Sequence, residues 1–182
     1  MTLALTGIRT GEALGLRWSD VDFAGRELNI RCEIYRGQET TPKTPSSIRH
    51  RPMMPELYRA LLNHKAMAVY AQPSDYVFAS STGRPLNPDQ LRKALQATLK
   101  GMGITFDQAR ADGMHLLRHS SGSMVYRHTG GDVKLTQDWL GHSNSRITLD
   151  IYTHLGEGQE QRTTERLAQG IFVRPEAPGI VH

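Results

Sequence analysis

Two arginines, a lysine, several histidines and a tyrosine in this chain lie in short segments suited to work on a phosphate. Thr6-Gly7-Ile8-Arg9-Thr10-Gly11-Glu12 stands near the start. His115-Leu116-Leu117-Arg118-His119 follows in the second half, then Leu140-Gly141-His142 and Ile151-Tyr152-Thr153-His154. Arginine presents a planar fork of donors that matches a phosphate bidentately. A tyrosine hydroxyl becomes a covalent nucleophile once a base or an electrostatic clamp activates it. Clamps, proton carriers and a tyrosine around one phosphodiester describe a DNA strand-transfer site.

Each residue also has an ordinary reading. Arg9 and Glu12 are three apart on a helix, so a surface ion pair of little energetic value would account for them. Lys43, in Thr41-Pro42-Lys43-Thr44-Pro45, is by type and setting a solvated turn lysine. A histidine after a helix-ending glycine, as at His142, is commonly a cap, and Tyr152 alone would pass for an amphipathic core tyrosine. His115 and His119 have the i, i+4 spacing of a zinc pair. No glutamate follows His115, however, and Arg118 between the two would repel a cation, so no metal is expected. Arg17 reads as solvated or as a contact to a DNA backbone.

The order of these segments resembles the tyrosine recombinases, or phage integrase family, from about Thr6 to about Leu155. Thr-Gly-x-Arg-x-x-Glu is followed by Leu16-Arg17-Trp18-Ser19-Asp20-Val21-Asp22, a lysine hairpin, His-x-Leu-Arg-His, Leu-Gly-His and the tyrosine. Any one piece is common, whereas all of them in this order are specific. The resemblance implies that Arg9 and Arg118 grip the scissile phosphate and that Glu12 orients Arg9. It makes His115 a proton carrier or donor, and His142 a donor to a non-bridging phosphate oxygen. It makes Lys43 the acid for a departing 5′ hydroxyl and Tyr152 the nucleophile. His119 is implied as a packing neighbour of the site, and Arg49 and Arg51 as DNA-backbone contacts. The activity implied is site-specific recombination through a 3′-phosphotyrosine link, with double-stranded DNA as partner and self-association into a tetrameric synapse. No cofactor or small-molecule substrate is expected. The site also resembles that of type IB topoisomerases, but the Leu-Gly-His and Thr-Gly-x-Arg wording favours recombinases. A rival reading is a DNA-binding module that is catalytically idle, because family members usually carry an N-terminal clamp domain and Met1 falls just upstream of the first motif.

The elements that must position these residues are mostly helices. Apolar spacing over Thr2–Leu16 predicts one helix broken near Gly7. Leu28, Ile30, Cys32 and Ile34 alternate with polar residues, predicting a strand from Leu28 to Tyr35. A polar hairpin, 37–47, carries Lys43 into a second strand over Ser47–Met54. Pro55 opens a helix to about Tyr70, and Tyr76-Val77-Phe78 reads as a short buried strand. Further helices are predicted from Asn87-Pro88 to about Lys100, over Gly113–His128, Asp132–Leu140, Ser145–Tyr152 and Glu157–Ala168. The fold class is mainly α with a small antiparallel β-sheet (α+β). Residues 1–172 are expected to form a catalytic domain lacking its first helix and the clamp domain, with 173–182 a disordered tail.

Composition agrees without deciding. The 182 residues suffice for a single core. The net charge of +4 favours an anionic partner. The lone Cys32 excludes an internal disulfide and reads as a small core residue. No targeting or membrane-spanning run stands out, so a cytoplasmic, nucleoid-associated protein of bacterial or phage type is expected.

Overall fold

The computed structural model describes residues 1–40, 49–101, 103 and 113–141. Two short helices open the chain, α1 (Thr2–Thr6) and α2 (Thr10–Gly15). Gly7 ends α1 at φ 65°, so the predicted break is a full change of direction. A 3₁₀ turn, Trp18–Asp20, leads into β1 (Val21–Asp22) and β2 (Glu27–Ile30). Next come β3 (Glu33–Tyr35), β4 (Gln38–Thr40) and β5 (Arg49–Pro52). The helices α3 (Pro55–Met67), α4 (Pro88–Gly101), α5 (Gly113–His128) and α6 (Val133–Leu140) follow. Mainly helical with small antiparallel sheets is the class observed.

The predicted strand over Leu28–Tyr35 is two strands in two sheets. β2 lies between β1 and β5, whereas β3 pairs only with β4. Its alternation was sound, since Leu28, Ile30, Cys32 and Ile34 are all buried. Alternation reports which side faces inward and nothing about which strand lies alongside. Two tertiary contacts hold the break: Arg31 Nε lies 3.2 Å from the Asp20 carboxylate, and the Cys32 thiol donates to Gly15 O at 3.1 Å. Burial pushes that thiol up to about 11. Close approach of α2 to β3 depends on Gly11, where a Cβ would meet Ile34 O at 2.7 Å.

Tyr76–Phe78 forms no ladder, contrary to prediction. Only an isolated bridge joins Arg17 to Tyr76, with Val77 N–H donating to Leu16 O at 2.8 Å. Its neighbour turns at once into the 3₁₀ segment and offers no extended partner. Likewise α3 ends at Met67, short of Tyr70, as Ala68 turns extended at ψ 133° and Trp18 Nε1 takes Tyr70 O at 2.9 Å. α5 spans the predicted residues, and α6 starts from Asp132, whose carboxylate accepts Leu135 N–H at 2.8 Å. The helices predicted over Ser145–Tyr152 and Glu157–Ala168 lie outside the described residues, as does the proposed tail.

The main core joins Ile8, Leu16, Trp18, Leu28, Ile30, Leu57, Leu61 and Val77. A smaller cluster of Tyr126 and Leu140, with Val133 and Trp139, packs α5 against α6. No helix among the described residues is long and apolar enough to cross a membrane.

Candidate active site around the end of helix α6

Strand β5 is the edge of its sheet, which is where Pro52 can be tolerated. Arg49 stands opposite Ile30 and Arg51 opposite Leu28. Side chains opposite each other in an antiparallel pair share a face, and Leu28 and Ile30 face the core. Both arginines are therefore delivered to the inner side of the sheet, toward α2 and α6, while His50 points out.

There they meet the end of α6. The last carbonyls of a helix have no partner within it and carry its partial negative charge. Here they are taken up by guanidinium groups. Arg51 Nη2 donates to Asp138 O at 2.8 Å. Arg49 Nη1 and Arg118 Nη2 donate to Leu140 O at 3.3 and 2.6 Å. Arg9 Nη2 reaches Gly141 O at 3.5 Å. Arg118 also donates to Gly7 O, so one guanidinium, 4 % exposed, ties the turn after α1 to the turn after α6.

Glu12 is the counter-charge. It is 7 % exposed at the side chain and accepts from Arg9 Nη1 at 3.0 Å and from Arg49 Nη2. Its other oxygen accepts the Arg9 backbone N–H at 2.8 Å, half of a capping box for α2. Two guanidiniums thus share one carboxylate, and two more, of Arg51 and Arg118, sit on the neighbouring carbonyls, leaving an excess of positive charge in a partly dry place. Arg9, 47 % exposed, presents that excess to solvent. Burial, and then the charge of Arg49, lowers the Arg51 pKa.

The structure brings together Arg9, Glu12, Arg49, Arg51 and Arg118. His115, one turn before Arg118, is exposed, and its ring meets that of His119 edge-on at 4.9 Å. Burial, then His115 and Arg118, holds the His119 imidazole below the usual histidine range. Lys43, His142 and Tyr152 lie outside the described residues. Sequence reasoning passed over Trp139, whose Nε1 donates to Ser121 Oγ at 3.1 Å and whose ring lies 5.9 Å from the Arg51 guanidinium carbon. Nothing in the motifs flagged it. It also passed over the Leu140 and Gly141 carbonyls, which no side-chain pattern can flag.

Known proteins share this arrangement of sequence and fold. Residues 1–158 match the phage integrase family. A tyrosine recombinase XerC-like protein of Caldanaerobacter subterraneus subsp. tengcongensis is 31% identical over 186 residues, covering 89% of this chain and 46% of the relative. The ICEBs1 integrase of Bacillus subtilis is 27% identical, with 90% and 46% covered. Among solved structures, the Tn1549 transposon integrase in complex with circular intermediate DNA superimposes with a TM-score of 0.74 at 26% identity, over 91% of this chain and 57% of that one. The XerA recombinase gives a TM-score of 0.66 at 25% identity, over 96% and 57%. The chain spans about half the length of the curated relatives it matches. Motifs, fold and matched length agree: the chain belongs to the phage integrase family.

Proposed function

We propose that the protein cleaves and rejoins double-stranded DNA at a specific site through a covalent tyrosine intermediate. One observation carries the reading. Arg9 and Arg118, 109 positions apart in the chain, converge on the same turn, Leu140-Gly141, with Glu12 against Arg9. That turn leads directly to His142.

The Tyr152 oxygen attacks the scissile phosphorus as its phenolic proton passes to His115, and the phosphorus–oxygen bond to the 5′ side breaks. A 3′-phosphotyrosine forms, and Lys43 gives its proton to the departing 5′ oxygen, a poor leaving group otherwise. A 5′ hydroxyl from another strand then attacks the phosphotyrosine and restores the tyrosine. The phosphodiester energy is kept in the covalent link, so rejoining needs no nucleotide. Negative charge grows on the non-bridging oxygens, where Arg9, Arg118, His115 and His142 stabilise it. Arg51 serves as a DNA-backbone contact. Self-association on DNA follows from exchange between four strand ends, and a cytoplasmic, nucleoid-associated location follows from the substrate.

A nicked suicide duplex carrying the protein's own site tests this. The protein yields a denaturant-resistant protein–DNA adduct, and Tyr152→Phe keeps DNA binding and loses the adduct. An undiminished adduct in Tyr152→Phe removes the assignment. DNA binding without any adduct in the wild-type chain supports the idle binding module instead.

A further inference from the structure

Arg49 was expected at the DNA backbone, yet its guanidinium is turned inward and its side chain is 21 % exposed. It bridges two groups remote in sequence, the Glu12 carboxylate and the Leu140 carbonyl, 37 and 91 positions away. It also packs directly over Gly141, where a Cβ would fall on the guanidinium itself. Gly141 therefore has two reasons to be glycine, its φ of 66° and the arginine above it.

We infer that Arg49 is a positioning residue for the phosphate clamp, acting through Glu12. A buried carboxylate beside a phosphate site is a liability, because it repels the anion and competes for the clamp arginine. Glu12 is needed to hold Arg9, through both its backbone N–H and its guanidinium. Arg49 shares the same carboxylate oxygen and offsets its charge, so Arg9 is oriented by Glu12 without being neutralised by it. The second donor group of Arg49, on Leu140 O, fixes the turn that precedes His142 against the same carboxylate. A lysine could supply the charge but not both ends of the bridge.

The inference rests on the clamp reading and deepens it. Inorganic phosphate is the probe, titrated into the full 182-residue chain and followed through arginine side-chain and Gly141 amide resonances, with thermal melting alongside. Wild type binds phosphate at Arg9 and Arg118. Arg49→Ala weakens binding about tenfold, the size of losing one neighbouring charge in a partly buried site, and shifts the Gly141 amide. Arg49→Lys keeps most of the affinity but shifts the Gly141 amide as Arg49→Ala does. In Glu12→Gln/Arg49→Ala the local net charge is restored, and phosphate affinity recovers toward wild type although both bridging contacts are gone. A merely structural bridge predicts the opposite, a double variant at least as weak as the single one.

Failure to recover, or unchanged affinity in Arg49→Ala, overturns the inference while leaving the clamp intact. Should Arg49→Ala not fold, the same decision falls to Arg49→Lys and the double variant: a shifted Gly141 amide in Arg49→Lys with recovery in the double supports it, and any other pair of results overturns it. Absence of phosphate binding in wild type, with Arg118→Ala indistinguishable from it, removes the clamp reading and this inference together.

Discussion

Two arginine networks flank helix α2, and they are built from the same residue types to different ends. In one, Arg9, Arg49 and Arg118 surround Glu12 and the last carbonyls of α6. In the other, Arg17 meets Glu39 at 2.8 Å and stacks on Tyr76 with its guanidinium carbon 4.2 Å from the ring centre. Tyr76 O–H donates to the same Glu39 oxygen at 2.8 Å. The second network is balanced, one cation to one anion, and its charged side chains are 32% and 36% exposed. The first has more cations than anions, and its members other than Arg9 are more buried than either of those. A balanced pair braces the fold, whereas an unbalanced one held away from water keeps an attraction for a further anion. The difference lies in counting and burial, since the side chains are alike.

That contrast can be broken most severely at Arg118. Its guanidinium donates to two buried carbonyls, and truncation takes the donor from Gly7 O, at about 1–3 kcal/mol, and leaves Leu140 O to Arg49 alone. Arg118→Ala is expected to lower the stability measured in urea by roughly 2–5 kcal/mol. Arg118→Lys keeps the charge, loses the fork, and should reduce adduct formation by about two orders of magnitude with DNA affinity little changed. Normal cleavage by that variant would equate the site with the bracing network.

Next in size is Gly141→Ala. A side chain at φ 66° costs about 1 kcal/mol, and displacement of Arg49 adds to it, so a loss of about 2–3 kcal/mol by thermal or urea unfolding is expected. A neutral substitution would show that Arg49 moves aside freely.

At the bracing network Arg17→Ala should cost no more than about 1 kcal/mol and leave adduct formation per bound DNA unchanged. A large catalytic loss there would erase the distinction between the two networks.

The smallest effect is the pH dependence of Glu39. Its bond from Tyr76, offset in part by burial and reinforced by Arg17, holds the Glu39 carboxyl below its ordinary range. A folded value lower than the unfolded one gives stability that is present above the ordinary glutamate range and lost as pH falls through the lowered value. The wild-type melting temperature should fall over that acid range more than that of Glu39→Gln. Parallel curves would mean that the pair does not persist in solution.

Local features were legible in advance and nonlocal ones were not. The span of α5, Gly113–His128, was readable because helix hydrogen bonds close within four residues. The Asp132 cap was readable for the same reason. The split of Leu28–Tyr35 was not, because pairing with β5 or β4 depends on chain distant in sequence. Nor was the inward facing of Arg49, which follows from register against Ile30.

By itself the sequence determined the family, through side chains in a fixed order from Thr6-Gly7-Ile8-Arg9 to Leu140-Gly141-His142 and on to Tyr152. It also determined the helical character and the alternation that buries Leu28 and Ile30. Only the tertiary structure decided which arginines share a carboxylate and which carbonyls they cap. Arg9 and Gly141 stand 132 positions apart and Arg49 and Leu140 stand 91. A backbone carbonyl is the same group at every residue, so nothing in the order of letters says which will be left open at a helix end. Packing of α5 against α1 and α6 settles that, and with it where the excess positive charge of this site comes to lie.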